Sequence, residues 1–90
     1  MYYSAAYTQL QGIYSYFLIK IKYMEKFCER LKELRLSKKL SVRQFAKMIG
    51  VRDTTVLRWE SNTIEPSISK IITISKLFDI SADYLLGLED

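Results

Sequence analysis

Two short stretches of helical periodicity, Val42 to Ile49 and about Asp53 to Glu60, are separated by only three residues, Gly50, Val51 and Arg52. In the first, Val42, Phe45, Ala46 and Ile49 make one apolar face, and Ser41 stands in front of it as an N-cap. Gly50 can take the left-handed conformation that closes a helix, and Val51 is the apolar plug behind it. In the second, Val56 and Trp59, three apart, share an inward face, and Asn62, Thr63 and Pro66 break the segment. So tight a turn fixes the angle at which the two helices cross.

Three more helical segments are legible, and no strand pattern competes with them. Phe27, Leu31 and Leu34 recur at i, i+4, i+7 with Cys28 alongside, predicting a helix from about Met24 to near Lys38. Ser67 starts another, in which Ile68, Ile71, Ile72, Ile74, Ser75 and Phe78 form a wide apolar face. There the spacing overrides the strand propensity of isoleucine. Ser81 caps a last short helix that runs through Asp83, Tyr84, Leu85 and Leu86 and stops at Gly87. The expectation is an all-α, compact five-helix domain over residues 24–90.

Residues 1–23 are a different sort of sequence, with six of the seven tyrosines, no acid, and Lys20 and Lys22 as the only charges. They read as an atypical N-terminal extension rather than part of the same domain. Two accounts stay open: a helix or strand that packs on a partner, or an upstream extension of a chain whose natural start is Met24. The apolar run precedes its lysines and is far shorter than a membrane span, so neither a signal peptide nor a spanning helix is expected.

Ninety residues make one domain at most. There is no histidine and a single cysteine, Cys28, which removes the usual zinc sites, Ser-His-Asp and Cys-His nucleophiles, and any internal disulfide. No metal, no cofactor and no enzymatic activity are expected. A lone thiol fits a reducing compartment, the cytoplasm, with Cys28 as a half-buried apolar side chain on its helix. Charge is lopsided: Lys26 to Arg58 holds ten Lys or Arg against three acids, a balance of +7, whereas Trp59 to Asp90 carries two lysines against six acids, −4. One end is suited to a polyanion.

Two short helices on a tight turn, the second with polar residues outward, meet the description of a helix-turn-helix. Beyond that, Leu34-Arg35, Leu40-Ser41, Phe45-Ala46, Ile49-Gly50-Val51, Thr55-Val56, Arg58-Trp59-Glu60, Glu65-Pro66-Ser67, Leu77-Phe78 and Ile80-Ser81-Ala82-Asp83-Tyr84-Leu85-Leu86-Gly87 together resemble the phage repressor/Cro-type (XRE) helix-turn-helix family over roughly residues 25–88. The resemblance implies a lambda-repressor-like domain that binds double-stranded operator DNA as a homodimer and regulates transcription, a small repressor in a bacterial or phage setting at the nucleoid. It also implies a structural ion pair between Arg35 and Glu60. The chain departs from the family pattern at Lys39 and Asn62, where glycine is common, and at Val42, where glutamine is. An antitoxin, or another protein-interaction module that also binds DNA, is the alternative.

On the second helix of the pair, Asp53, Thr54, Leu57 and Arg58 point away from Val56 and are the candidate base readers. Arg58 can chelate guanine O6 and N7, Thr54 suits a base edge or thymine methyl, and Leu57 is either a methyl contact or a bystander. Asp53 either accepts from cytosine N4 or serves its own helix N-terminus, the local role being favoured. Trp59 is read as packing rather than base stacking, since it shares a face with Val56. Ser41, Arg43, Gln44, Arg52, Thr55, Asn62 and Thr63 are the phosphate candidates. Leu85, Leu86 and Leu88 are either the dimer contact or the closure of the core.

Overall fold

The computed structural model describes the backbone of residues 5–89 and the side chains of residues 12–89. Its helices are α1 (Ala5–Ser37), α2 (Val42–Ile49), α3 (Asp53–Glu60), α4 (Ile68–Phe78) and α5 (Ala82–Leu85), with no strand among the described residues.

α1 is where the fold differs most from expectation. It does not begin near Met24 but runs unbroken for 33 residues from Ala5. No proline interrupts that stretch, and Gly12 is its only glycine. Once the downstream half is nucleated on the core, each upstream residue adds one hydrogen bond without a new nucleation cost. The molecule is therefore 54 Å in its longest dimension against 25 and 19 Å in the others.

α1 stops at a turn in which Lys39 takes φ 57°, and the amide of Leu40 reaches back to the Arg35 carbonyl at 3.1 Å. That is the left-handed region, costly for a side chain with a Cβ. Asn62 (φ 60°) after α3 and Asp79 (φ 54°) after α4 share it. Asn and Asp bear it more easily, because a short polar side chain tolerates that backbone.

Serine begins three of the helices. Ser41, Ser67 and Ser81 each accept from the amide three residues on, and the Ser41 amide in turn donates to the Gln44 side-chain oxygen at 2.9 Å, completing a capping box. Gly50 ends α2 with φ 85°, and the amides of Gly50 and Val51 both donate to the Ala46 carbonyl, at 2.9 and 3.0 Å.

The core is Phe27 and Leu31 of α1, Phe45, Ala46 and Ile49 of α2, Val56 and Trp59 of α3, Ile74 of α4 and Leu85 of α5. Phe27 meets Trp59 edge-on at 6.0 Å, and Phe45 stacks on Phe78 at 5.3 Å. Trp59 is thus packing. The apolar face of α4 is narrower than its six candidates: Ile74 is buried and Ile71, Ser75 and Phe78 are half-buried, but Ile68 and Ile72 are 78% and 47% exposed. Those two lie beyond the arc that α2 and α5 cover. Leu85 closes the core and is not free to make a dimer contact, whereas Leu88 is exposed.

Two interactions close the bundle across long sequence separations. The Arg30 guanidinium lies 4.3 Å from the centre of the Tyr84 ring and donates to the carbonyls of Tyr84 and Glu89, tying the tail to α1. Arg35 makes a two-pronged pair with Glu60, Nε to Oε2 at 2.7 Å and Nη2 to Oε1 at 2.9 Å, and its third donor group reaches the Leu40 carbonyl at 2.9 Å. Both side chains are about nine-tenths buried, at 11% and 8% exposure, so this pair is not the weak surface kind. The carboxylate holds the guanidinium still more firmly in its charged form, raising its pKa.

Arg35→Ala should cost about 3 kcal/mol, because Glu60 is left desolvated without its partner. Arg35→Ala with Glu60→Ala should cost less than the sum of the singles, and strict additivity in denaturant melts would refute the coupling. At Gly87 (φ 78°) an added Cβ would lie 2.5 Å from Lys26 Cβ. Gly87→Ala should therefore lose about 2 kcal/mol or more, while Lys39→Gly should gain about 0.5–1 kcal/mol by relieving the left-handed backbone. The same melts decide both signs. Since every core residue lies at or after Phe27, a chain of residues 24–90 should still melt cooperatively by circular dichroism.

Candidate nucleic-acid interface

The corner between α2 and α3 presents two exposed surfaces. With Val56 and Trp59 buried, Asp53, Thr54, Leu57 and Arg58 are left on the solvent side of α3. With Phe45, Ala46 and Ile49 buried, Arg43, Gln44 and Lys47 are left on that of α2. The Gly50 turn holds the two helices as a unit, since the only residues between them are the cap, its half-buried plug Val51, and Arg52.

The end of α3 is held against α1 at three points. Trp59 abuts Phe27, Glu60 binds Arg35, and the Cys28 thiol donates to the Glu60 carbonyl at 2.7 Å. Burial, with the carboxylates of Glu29 and Glu60, pushes the Cys28 thiol up from its ordinary pKa, which keeps the proton that this hydrogen bond uses. Cys28 thus has a structural task that composition alone did not reveal. The signal available was its place beside Phe27 on the inward side of α1.

The phosphate candidates divide on inspection. Arg43 and Arg52 are exposed, and Arg52 stands at the N-cap of α3 without a side-chain cap bond. The capping box uses the Ser41 hydroxyl oxygen and the Gln44 amide oxygen as acceptors, so the Ser41 O–H and the Gln44 NH2 remain as donors. Thr55 is half-buried, and Asn62 is half-buried in its left-handed turn. Thr63 is exposed, its hydroxyl 2.8 Å from that of Ser61. Lys47 was not among the candidates. It lies on the outer side of α2 and, with Leu40, Gln44 and Met48, lines a shallow, largely apolar groove of about 380 Å³. Its position four residues after Arg43 was the sequence signal for it.

No cluster of three metal-ligating side chains occurs among the described residues, and no described helix is long and apolar enough to cross a membrane.

Comparison with known proteins bears on this geometry. The chain is 36% identical over 64 residues to the uncharacterized HTH-type transcriptional regulator YobD of Bacillus subtilis (strain 168), covering 71% of this chain and 57% of that one. It is 40% identical over 60 residues to repressor protein C2 of Salmonella phage P22, covering 64% and 27%. It is 36% identical over 64 residues to the HTH-type transcriptional activator BcrR of Enterococcus faecalis, covering 71% and 31%. The chain thus spans 57% of the length of YobD and less of the other two. Among solved structures, an HTH_3 family transcriptional regulator from Vibrio cholerae shares the fold, with a TM-score of 0.66 at 22% identity over 77% of this chain and 39% of that one. The sequence model of the helix-turn-helix family HTH_3 matches residues 31–85, from the last two turns of α1 through α5. The corner of α2 and α3 lies within that match, and the chain belongs to the HTH_3 family.

Proposed function

We propose that this domain binds duplex DNA sequence-specifically, with α3 in the major groove and α2 across the backbone, and that it regulates transcription from the cytoplasm as a dimer. The observation that carries the reading is the exposed outer side of α3, where Thr54, Leu57 and Arg58 stand clear of a firmly anchored helix. It lies in the stretch from Lys26 to Arg58, with its balance of +7. A recognition element needs both properties: side chains free to reach base edges, and a backbone that does not move when they do.

Arg58 is the principal base reader, Thr54 a second, and Leu57 the partner for a thymine methyl. Asp53 serves the N-terminus of α3. Arg43, Arg52 and Thr63 bind phosphates, with the Gln44 amide assisting, and the amides at the start of α2 add oriented donors. The Ser41 hydroxyl donates to a phosphate from its capping position, and Thr55 and Asn62 support the backbone that presents these groups. Relatives of this chain include a named repressor and a named activator. Repression asks least of the fold, because occupying an operator blocks a promoter without a second contact surface. No catalytic step is assigned.

The test is binding of variants to an operator selected from random duplex DNA, and to scrambled DNA, across a salt series. Arg58→Ala should cost about 1–3 kcal/mol on the operator and relax preference at one base pair per half-site. Arg43→Ala should weaken all sequences alike and reduce the salt slope by about one unit per contact. Equal loss on operator and scrambled DNA for Arg58→Ala would overturn its role, leaving Thr54 as the leading reader.

A further inference from the structure

Between Ile13 and Ile21, α1 carries a run of apolar side chains that lies outside the core and stays exposed. Ile13, Phe17 and Ile21 recur at i, i+4, i+8 with Tyr14 and Leu18 beside them, so the five share one stripe. They are 66, 57, 38, 65 and 49% exposed respectively. We propose that this stripe joins two copies of the chain, the two helices pairing antiparallel about a two-fold axis at Phe17.

Area supports a second copy as the occupant. Five such side chains present on the order of 600 Å² per copy, so full coverage in both would bury at most about 1,200 Å², the lower end of what stable specific interfaces need. Charge supports it too, and sets the direction. No charged residue precedes Lys20 in the sequence. A parallel, in-register pair would set Lys20 level with Lys20 at the rim of the contact, Lys22 being turned about 140° away from Phe17. An antiparallel pair about Phe17 instead places Lys20 level with Tyr14 of the partner helix, and brings Ile13 to Ile21. A lipid surface fits less well, because the side away from the stripe carries exposed Tyr16 and Ile19 rather than a row of lysines. The inference deepens the DNA-binding reading, which calls for a two-fold pair on two half-sites. Its test needs no DNA, so the two can fail separately.

Sedimentation of the full chain over a micromolar concentration series should show a reversible dimer. Phe17→Asp should weaken it at least about 100-fold, since both copies lose the same side chain at the axis. Its thermal melt should stay cooperative, because Phe17 touches no core residue. Leu88→Asp, on the exposed tail, should leave the dimer intact. In a Cys28→Ser background, Ile13→Cys and Ile21→Cys chains should cross-link on mixing and not singly. A monomeric full chain would overturn the proposal. So would a dimer that survives Phe17→Asp but is lost in Leu88→Asp, or self-cross-linking of the Ile13→Cys chain alone.

Discussion

The position of α3 depends on one arginine. Arg35, near the end of α1, grips Glu60 at the end of α3 with two donors and the Leu40 carbonyl just before α2 with a third. A single planar side chain therefore sets three segments at fixed separations. Hydrophobic burial holds the helices together but is indifferent to small slides, whereas the fork of a guanidinium is directional. The Phe27–Trp59 contact and the Cys28 hydrogen bond complete the clamp from the same helix. The result is a helix fixed by its C-terminal end, with its outward side chains uncommitted.

Much of this was legible in the sequence, because the relevant devices are local. Serines before helical runs, Gly50 and Gly87 as closers, and pairs such as Val56 with Trp59 act within four residues of one another. The boundaries of α2, α3 and α4 follow from them. What was not legible depends on neighbours. Ile68 and Ile72 match the periodicity of α4 as well as Ile74 does, and only the placement of the other helices decides which is covered. Nothing in the tail reveals that Arg30 will lie on Tyr84, fifty-four residues away. The continuation of α1 through the tyrosine-rich segment was missed because composition marked that segment as different, while helix propagation requires only that nothing stop it.

At the site, type and exposure of the α3 side chains were readable from the sequence, while competing obligations were not. Ser41 and Gln44 have the chemistry of phosphate ligands, and a capping box that uses the acceptor of each fixes them in place while the Ser41 O–H and the Gln44 NH2 are left to donate. Val42 stands where the family often has glutamine, and it is half-buried against the core, so it contributes packing in place of an outward polar group. The charged side chains on the outer side of α2 are accordingly Arg43 and, one turn further on, Lys47.

Because α1 is a single unbroken helix, its two ends are rigidly geared. Its downstream half is fixed by Phe27, Leu31 and Arg35 in the bundle, and its upstream half carries the apolar stripe. One residue inserted between Lys22 and Tyr23 would rotate the stripe by about 100° and advance it by about 1.5 Å, with no change to either surface. Three or four inserted residues would return it close to its original bearing, one turn further out. Residue count in this short joint thus acts as a phase setting: it determines how far one α3 stands turned from the other in any assembly built through α1.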